Sequence, residues 1–176
     1  HHDIYLNALS KEMDEITEVS TYRHPRSPTS PSSKSELFTY ITVKESFPTL
    51  KLQIQYVASD WIFMHKILVK TDNATFELGV RKRHSDNSGG RIWEWCTTIV
   101  GNKEKEVLEA IVKSTNVTLR CVGSTYYKDR ELTLDEIQRL QTVMLSYEIM
   151  KSRATANGKT PATFTQNSTD PESRPP

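Results

Sequence analysis

The stretch TLKLQIQYVA, residues 49–58, alternates apolar and polar side chains over most of its length. Successive side chains of a β-strand point to opposite faces, so this period of two predicts a strand. One face carries Leu50, Leu52, Ile54 and Tyr56, and the other carries Lys51, Gln53 and Gln55. We therefore expect a strand that buries one face and exposes the other to water.

Four further segments have strand character and flank this one on both sides. They are LFTYITVKE (37–45), WIFMHKILVK (61–70), TFELGVRKR (75–83) and RIWEWCTTIV (91–100). Turn residues separate them, so we expect five strands in meander order. There is no glycine-rich phosphate loop and no alternation of strands and helices, which disfavours a doubly wound nucleotide-binding fold.

The second half of the chain adds helices. Residues 102–114 have a helical period with Asn102 as an expected cap, and residues 116–122 return to strand alternation. Thr133 and Glu136 match a capping box at the start of a longer helix, with Leu132 and Ile137 as its hydrophobic staple. The predicted fold is α+β: an antiparallel β-sheet or sandwich of about 6–7 strands with two packed helices.

Composition divides the chain into four parts. Residues 1–20 are predicted to form an amphipathic helix, residues 21–36 a Pro/Ser-rich linker, residues 37–151 the β-rich globular domain, and residues 152–176 a disordered Thr/Ser/Pro tail. His1 and His2 resemble a tag remnant and are left out of any metal argument. The apolar stripe of the N-terminal helix would be Leu6, Leu9, Met13 and Ile16.

Bulk properties limit the possible functions. A chain of 176 residues accommodates one domain with a hydrophobic core. With a formal net charge of +1, the protein has no overall electrostatic attraction to nucleic acid or to an anionic membrane. No apolar run approaches the roughly 18 residues that a membrane span needs. We therefore expect no membrane span and no strong nucleic-acid interaction.

Three segments together show a resemblance. SDWIFMHKILVKTDN, RIWEWC and TLRCVGSTYYKDRELTLDEIQRLQTVMLSYE resemble a group of uncharacterised bacterial and phage-associated domains, often in exported or lipid-anchored proteins. In these an Asp-Trp opens a strand, a Trp-Glu-Trp-like strand follows, and a Gly-x-x-Tyr-x-Asp segment leads into a capped terminal helix. The resemblance covers about residues 50–148. It implies the same β-rich fold and an extracytoplasmic or secreted location, and it implies no activity.

A catalytic hypothesis centres on His65. On a regular strand His65 would share a face with Phe63, Ile67 and Val69, so it would be structural if that face packs in the core. A hydrolase or transferase site would instead need His65 to meet Asp60 and a cysteine. No HxH, HExxH or CxxC spacing supplies metal ligands, and we expect neither a metal nor a cofactor.

The two cysteines, Cys96 and Cys121, fall on separate predicted strands. They could form a disulfide if both side chains point into the same layer with their α-carbons within about 7 Å. Neither lies at a helix start or beside a histidine in sequence, which disfavours a nucleophilic thiol.

Two surfaces are candidates for partner binding. The first is a cationic cluster that would bind an anion or an acidic partner, unless it only solvates a strand end. The second is a set of aromatic side chains near strand ends, where a ring can face the core or a partner. The cationic residues are Arg81, Lys82, Arg83, His84 and Arg91, and the aromatic residues are Trp61, Tyr126 and Tyr127.

Two functions from different classes are therefore open. The first is a non-catalytic interaction module that presents its β-domain to a protein or glycan partner, with a possible homo-oligomer formed through the N-terminal helix. The second is the small hydrolase or transferase built around Asp60, His65 and a cysteine. The first is favoured, because the sequence contains no motif for a reaction.

Overall fold

A computed structural model describes residues 3–158, which form ten strands and three helices. In chain order the first elements are α1 (Asp3–Asn7), β1 (Ser10–Asp14), β2 (Val19–Arg23), β3 (Glu36–Lys44), β4 (Phe47–Ala58), β5 (Lys66–Lys70) and β6 (Thr75–Gly79). The remaining elements are β7 (His84–Ser88), β8 (Arg91–Ile99), α2 (Asn102–Val112), β9 (Thr118–Val122), β10 (Tyr127–Glu131) and α3 (Leu134–Ala156).

The strands form two antiparallel sheets. The larger sheet has the order β1-β2-β3-β4-β8-β7, and the smaller has the order β10-β9-β5-β6. The α+β class and the antiparallel pairing are confirmed, with more strands than the sequence predicted. The expected meander is wrong, because β4 pairs with β8 and not with the next strand in sequence. Strands β5 and β6 instead join β9 in the second sheet.

Strand β4 lies at the centre of the larger sheet, and its apolar face is confirmed. Leu50, Leu52, Ile54 and Tyr56 are all buried. The three aliphatic side chains lie level with Ile41, Thr39 and Leu37 of β3 in the ladder. This face packs against the smaller sheet and against α3, which contributes Ile137 and Leu140 to the main core and Val143 to a second cluster with Leu50. The alternation at residues 49–58 therefore specifies both the strand and the side on which the core forms.

The opposite face of β4 is less wet than the sequence suggests. Gln55 is only 2% exposed, and its Nε2 donates hydrogen bonds to the carbonyl oxygens of Ser30 and Lys34. The Ser35 hydroxyl accepts a hydrogen bond from the amide of Val57. Residues 24–35, the middle of the segment predicted as a linker, are therefore packed along the sheet. A polar side chain on a strand can be buried in this way when backbone carbonyls satisfy it.

A buried ion pair fastens this segment to α3. Arg139 donates to both carboxylate oxygens of Glu36, at 3.1 and 2.6 Å, and to the carbonyl oxygen of Arg26 at 3.1 Å. Both charged side chains are almost fully buried. Because the guanidinium is planar, it can hold the Glu36 carboxylate through two parallel bonds and still reach the backbone of residue 26.

The predicted N-terminal helix is wrong beyond its first turn and a half. Helix α1 ends at Asn7, and β1 and β2 form a hairpin where the helix was expected. The Asp14 carboxylate accepts hydrogen bonds from the amides of Ile16 and Thr17, which closes the turn, and Glu18 has a φ of 58°. An Asx-type turn of this kind competes locally with a helix. Met13 and Ile16 are exposed, so they form no helical stripe and the predicted basis for oligomerisation is absent.

The two other helices are confirmed. Helix α2 buries Val107, Leu108 and Ile111, although its N-cap is Gly101 and not Asn102. The capping box of α3 is complete, since Thr133 and Glu136 each accept a hydrogen bond from the backbone of the other. Helix α3 continues to Ala156, and the rest of the predicted tail, residues 159–176, lies outside the described residues. Within residues 3–158, no helix is both long enough and apolar enough to cross a bilayer.

Replacing Arg139 with methionine should destabilise the protein by about 3–5 kcal/mol, because it leaves the buried Glu36 carboxylate with only the half-exposed Lys34 ammonium as a charged partner. Urea denaturation measures the change. The control is Arg153→Met on the same helix, whose ion pair with Asp3 is exposed and should contribute under about 1 kcal/mol. Equal losses in the two variants would contradict the role given to the Glu36–Arg139 pair.

A second prediction concerns Asp72, whose carboxylate accepts hydrogen bonds from the amides of Thr115 and Asn116. These bonds lower the pKa of Asp72 below its usual value of 3.8. The stability that they contribute is fully present above that value and is lost as the pH falls below it. Thermal unfolding followed from neutral pH to about pH 2.5 should show a smaller acid-induced loss in Asp72→Asn than in the wild type. Identical pH profiles would contradict this assignment.

Candidate functional site

Residues 59–65, here called the aromatic loop, carry the chain from the larger sheet to the smaller one. The loop lies between β4 and β5 and has no regular structure up to residue 65. Ile62 and Met64 are buried in the core between the sheets, whereas Phe63 and His65 are exposed. The predicted strand over 61–70 is therefore shortened to its second half.

The carboxylate of Glu94 holds the backbone of the aromatic loop. Its oxygens accept hydrogen bonds from three consecutive amides, those of Ile62, Phe63 and Met64, at 3.0, 3.1 and 2.7 Å. Glu94 is fully buried on β8, and the Arg83 guanidinium lies 3.6 Å from one of its oxygens. Hydrogen bonds to a buried carboxylate are strong, and each of these amides would otherwise lack a partner in the core.

The carbonyl groups of the loop are also bonded. The Tyr56 hydroxyl donates to the carbonyl oxygen of Asp60, and the Tyr126 hydroxyl donates to that of Trp61. Burial raises the pKa of Tyr56 to about 12, so its hydroxyl remains a donor at neutral pH. The amide of Ser124 donates to the carbonyl oxygen of Ile62, and Arg83 reaches that of Met64. The loop is therefore fixed from both sheets.

This bonding imposes an unusual backbone on Phe63. Its φ is 53°, in the left-handed region that a bulky side chain rarely adopts. Such a conformation costs of order 1–3 kcal/mol and persists only where the surroundings determine it. Here the Glu94 bonds supply that constraint. Strain of this kind is concentrated at functional sites, which makes Phe63 a candidate for function.

The conformation builds an exposed aromatic patch. The rings of Trp61 and Phe63 are stacked, with centroids 6.0 Å apart and an interplanar angle of 9°. The Arg83 guanidinium lies 5.5 Å from the centroid of the Phe63 ring. Phe63 is 49% exposed and Tyr126 is 43% exposed. We call Trp61, Phe63, Arg83 and Tyr126 the aromatic patch.

His65 does not share its environment with Ile67 and Val69, as a regular strand would require. Both aliphatic side chains are buried, and His65 is exposed. Buried and exposed side chains alternate through the loop, with Ile62 and Met64 buried. This alternation shifts by one residue where the loop joins β5, so that the next buried side chain is Ile67. A shift of one residue moves a side chain to the other face of a sheet. The histidine is therefore exposed to solvent at the end of the aromatic loop.

The side chains of the catalytic hypothesis are not bonded to one another. Among residues 3–158, no hydrogen bond or ion pair joins the side chains of Asp60, His65 and either cysteine. Burial raises the pKa of Cys96 to about 11 and that of Cys121 to about 12, so both thiols are protonated at neutral pH. Both belong to the same core, yet both are free thiols. The described part of the chain also contains no group of His, Cys, Asp and Glu that could hold a metal ion.

The predicted cationic cluster is divided among several places. Arg83 belongs to the aromatic patch, and His84 stacks on Trp95 with ring centroids 5.3 Å apart. Arg91 donates to the carbonyl oxygen of Ser32. Arg81 and Lys82 instead line a cleft between the two sheets.

The predicted aromatic surface is partly assembled. Trp61 and Tyr126 lie together in the aromatic patch, joined through the Tyr126 hydroxyl. Tyr127 is exposed elsewhere, under the guanidinium of Arg120, which also forms a bidentate ion pair with Asp129. The sequence-based prediction missed Phe63. The signal in the sequence that could have found it is the pair of apolar neighbours, Ile62 and Met64. When both point into the core, Phe63 between them must point outward.

Comparison with protein-family models, with curated proteins and with solved structures found no match.

Replacing Gly123 with alanine should displace the aromatic loop. A Cβ atom at this position would lie 1.8 Å from the carbonyl oxygen of Ile62, which is backbone and cannot move aside without the loop. We expect the free energy of unfolding, measured by urea denaturation, to fall by about 1–3 kcal/mol, as it does at other overpacked sites. The control is Gly79→Ala, because a Cβ there meets nothing within 4 Å. Equal stability of the two variants would contradict the close approach at Gly123.

Proposed function

We propose that this protein is a non-catalytic interaction module and that the aromatic patch is its partner-binding surface. The observation that carries the proposal is the strained, exposed Phe63, stacked on Trp61 and held by the buried Glu94. A loop bonded so completely loses little conformational entropy when a partner binds. Trp, Tyr and Arg, three of the four residue types in the patch, are also those most enriched among residues that dominate binding energy.

The chemistry of the patch favours a protein partner over a glycan. A sugar ring needs hydrogen-bonding groups beside the aromatic ring on which it stacks. Two of the polar groups of the patch are already engaged, because the Tyr126 hydroxyl donates to the carbonyl oxygen of Trp61 and the Arg83 guanidinium interacts with Glu94 and Met64. What remains exposed is flat apolar surface with a partly exposed positive charge beside it. An apolar side chain flanked by a carboxylate on the partner would complement both features.

The proposal is tested by comparing binding partners of three matched proteins. Wild type, Phe63→Ser and Ile99→Ser are immobilised, and binders are selected from a displayed peptide library and from proteins of the native host. Ile99 is the control because it is 62% exposed and lies on β8, outside the patch. We expect binders that Phe63→Ser weakens at least tenfold and that Ile99→Ser retains, as for a central interface residue.

Two results would contradict the proposal. One is binders that depend equally on Phe63 and Ile99, or on neither. The other is a glycan array in which a carbohydrate binds the wild type but not Phe63→Ser, because it would show that the patch serves a glycan. Circular dichroism of each variant confirms that the fold is intact, which is expected because both residues are exposed.

A further inference from the structure

A cleft opens between the two sheets beside β6 and the start of α2. Its floor is apolar and comes from both sheets: Leu52 and Ile54 of β4, Ile67 of β5, Leu78 of β6 and Cys96 of β8. The cavity volume is about 590 Å³, within the range of natural small-molecule pockets. The four aliphatic side chains are largely buried, so a molecule in the cleft would contact the core through the small part of their surface that remains exposed.

Cations surround the mouth of this cleft. Arg81 and Lys82 lie on the connection from β6 to β7, and Lys103 lies in the first turn of α2. None of the three forms an ion pair or a side-chain hydrogen bond among residues 3–158. Two carboxylates, those of Glu77 and Glu104, also line the cleft.

The position of Glu104 reduces its effect on a ligand. Its Oε2 lies 3.3 Å from where a Cβ of Gly101 would be, at the N-cap of α2. The carboxylate is thus turned towards the start of its own helix, where the free amides and the helix dipole stabilise it. The lining of the cleft therefore carries three unpaired cations and two carboxylates, one of which lies at the start of α2. An apolar floor under a cationic rim is complementary to a molecule with an apolar body and one negative end.

We propose that the cleft binds a single-chain fatty acid anion, with its alkyl chain on the floor and its carboxylate among Arg81, Lys82 and Lys103. The site is separate from the aromatic patch and does not depend on the proposed function. It also accounts for the unpaired cations, two of which belong to the basic run at 81–84. No covalent step is involved.

Calorimetric titration of the full chain tests the ligand class. Octanoate, decanoate and dodecanoate, each kept below its micelle concentration, should bind with affinities that rise with chain length by up to about fourfold per added methylene, the value for a fully buried CH₂ of about 0.8 kcal/mol. Dodecanol removes the charge and dodecyltrimethylammonium reverses it, so both should bind at least tenfold more weakly than dodecanoate.

Variants locate the site. Arg81→Ala/Lys82→Ala should weaken dodecanoate binding at least tenfold, while Lys113→Ala/Lys128→Ala, which removes the same charge from exposed positions outside the cleft, should not. The proposal is overturned if dodecanoate does not bind, if dodecanol binds as tightly, or if the cleft and control variants bind alike.

Discussion

Glu94 is the side chain on which the connection between the two sheets depends. It sits on β8, next to the central strand, and receives the three amides of Ile62, Phe63 and Met64. A fully buried carboxylate is expensive to desolvate, and it is tolerated here because backbone donors and Arg83 surround it. Because Glu94 accepts from these amides, the chain can pass from one sheet to the other without leaving them unpaired.

The same three bonds explain the exposed aromatic surface. With Ile62 and Met64 drawn into the core, Phe63 is forced outward in a left-handed conformation and lies flat against Trp61. Fold and candidate site therefore have a common origin. The close approach of Gly123 to Ile62 completes the arrangement, because only a residue without a side chain fits against that carbonyl group.

The local features of this fold were predictable from the sequence, and the long-range pairings were not. The alternation from Leu50 to Tyr56 and the capping box at Thr133 and Glu136 each involve neighbouring residues, and both appear as expected. The pairing of β4 with β8 is decided by residues some forty positions apart, for which periodicity holds no information. The prediction of an N-terminal helix was wrong because the Asp14 side chain closes a turn within the segment that has helical spacing. The aromatic patch was found in part, since Trp61 and Tyr126 were named from the sequence, whereas Phe63 and the function of Glu94 emerge only from contacts across the sheets.

Amide hydrogen exchange at residues 62–64 tests the central claim most directly. If Glu94 fixes the loop, the amides of Ile62, Phe63 and Met64 should exchange at least ~10³-fold more slowly than unstructured amides, although they belong to no helix or strand. In Glu94→Ala, that protection should be lost at all three while Leu119 in β9 keeps measurable protection. Rapid exchange of the three amides in the wild type would contradict the account.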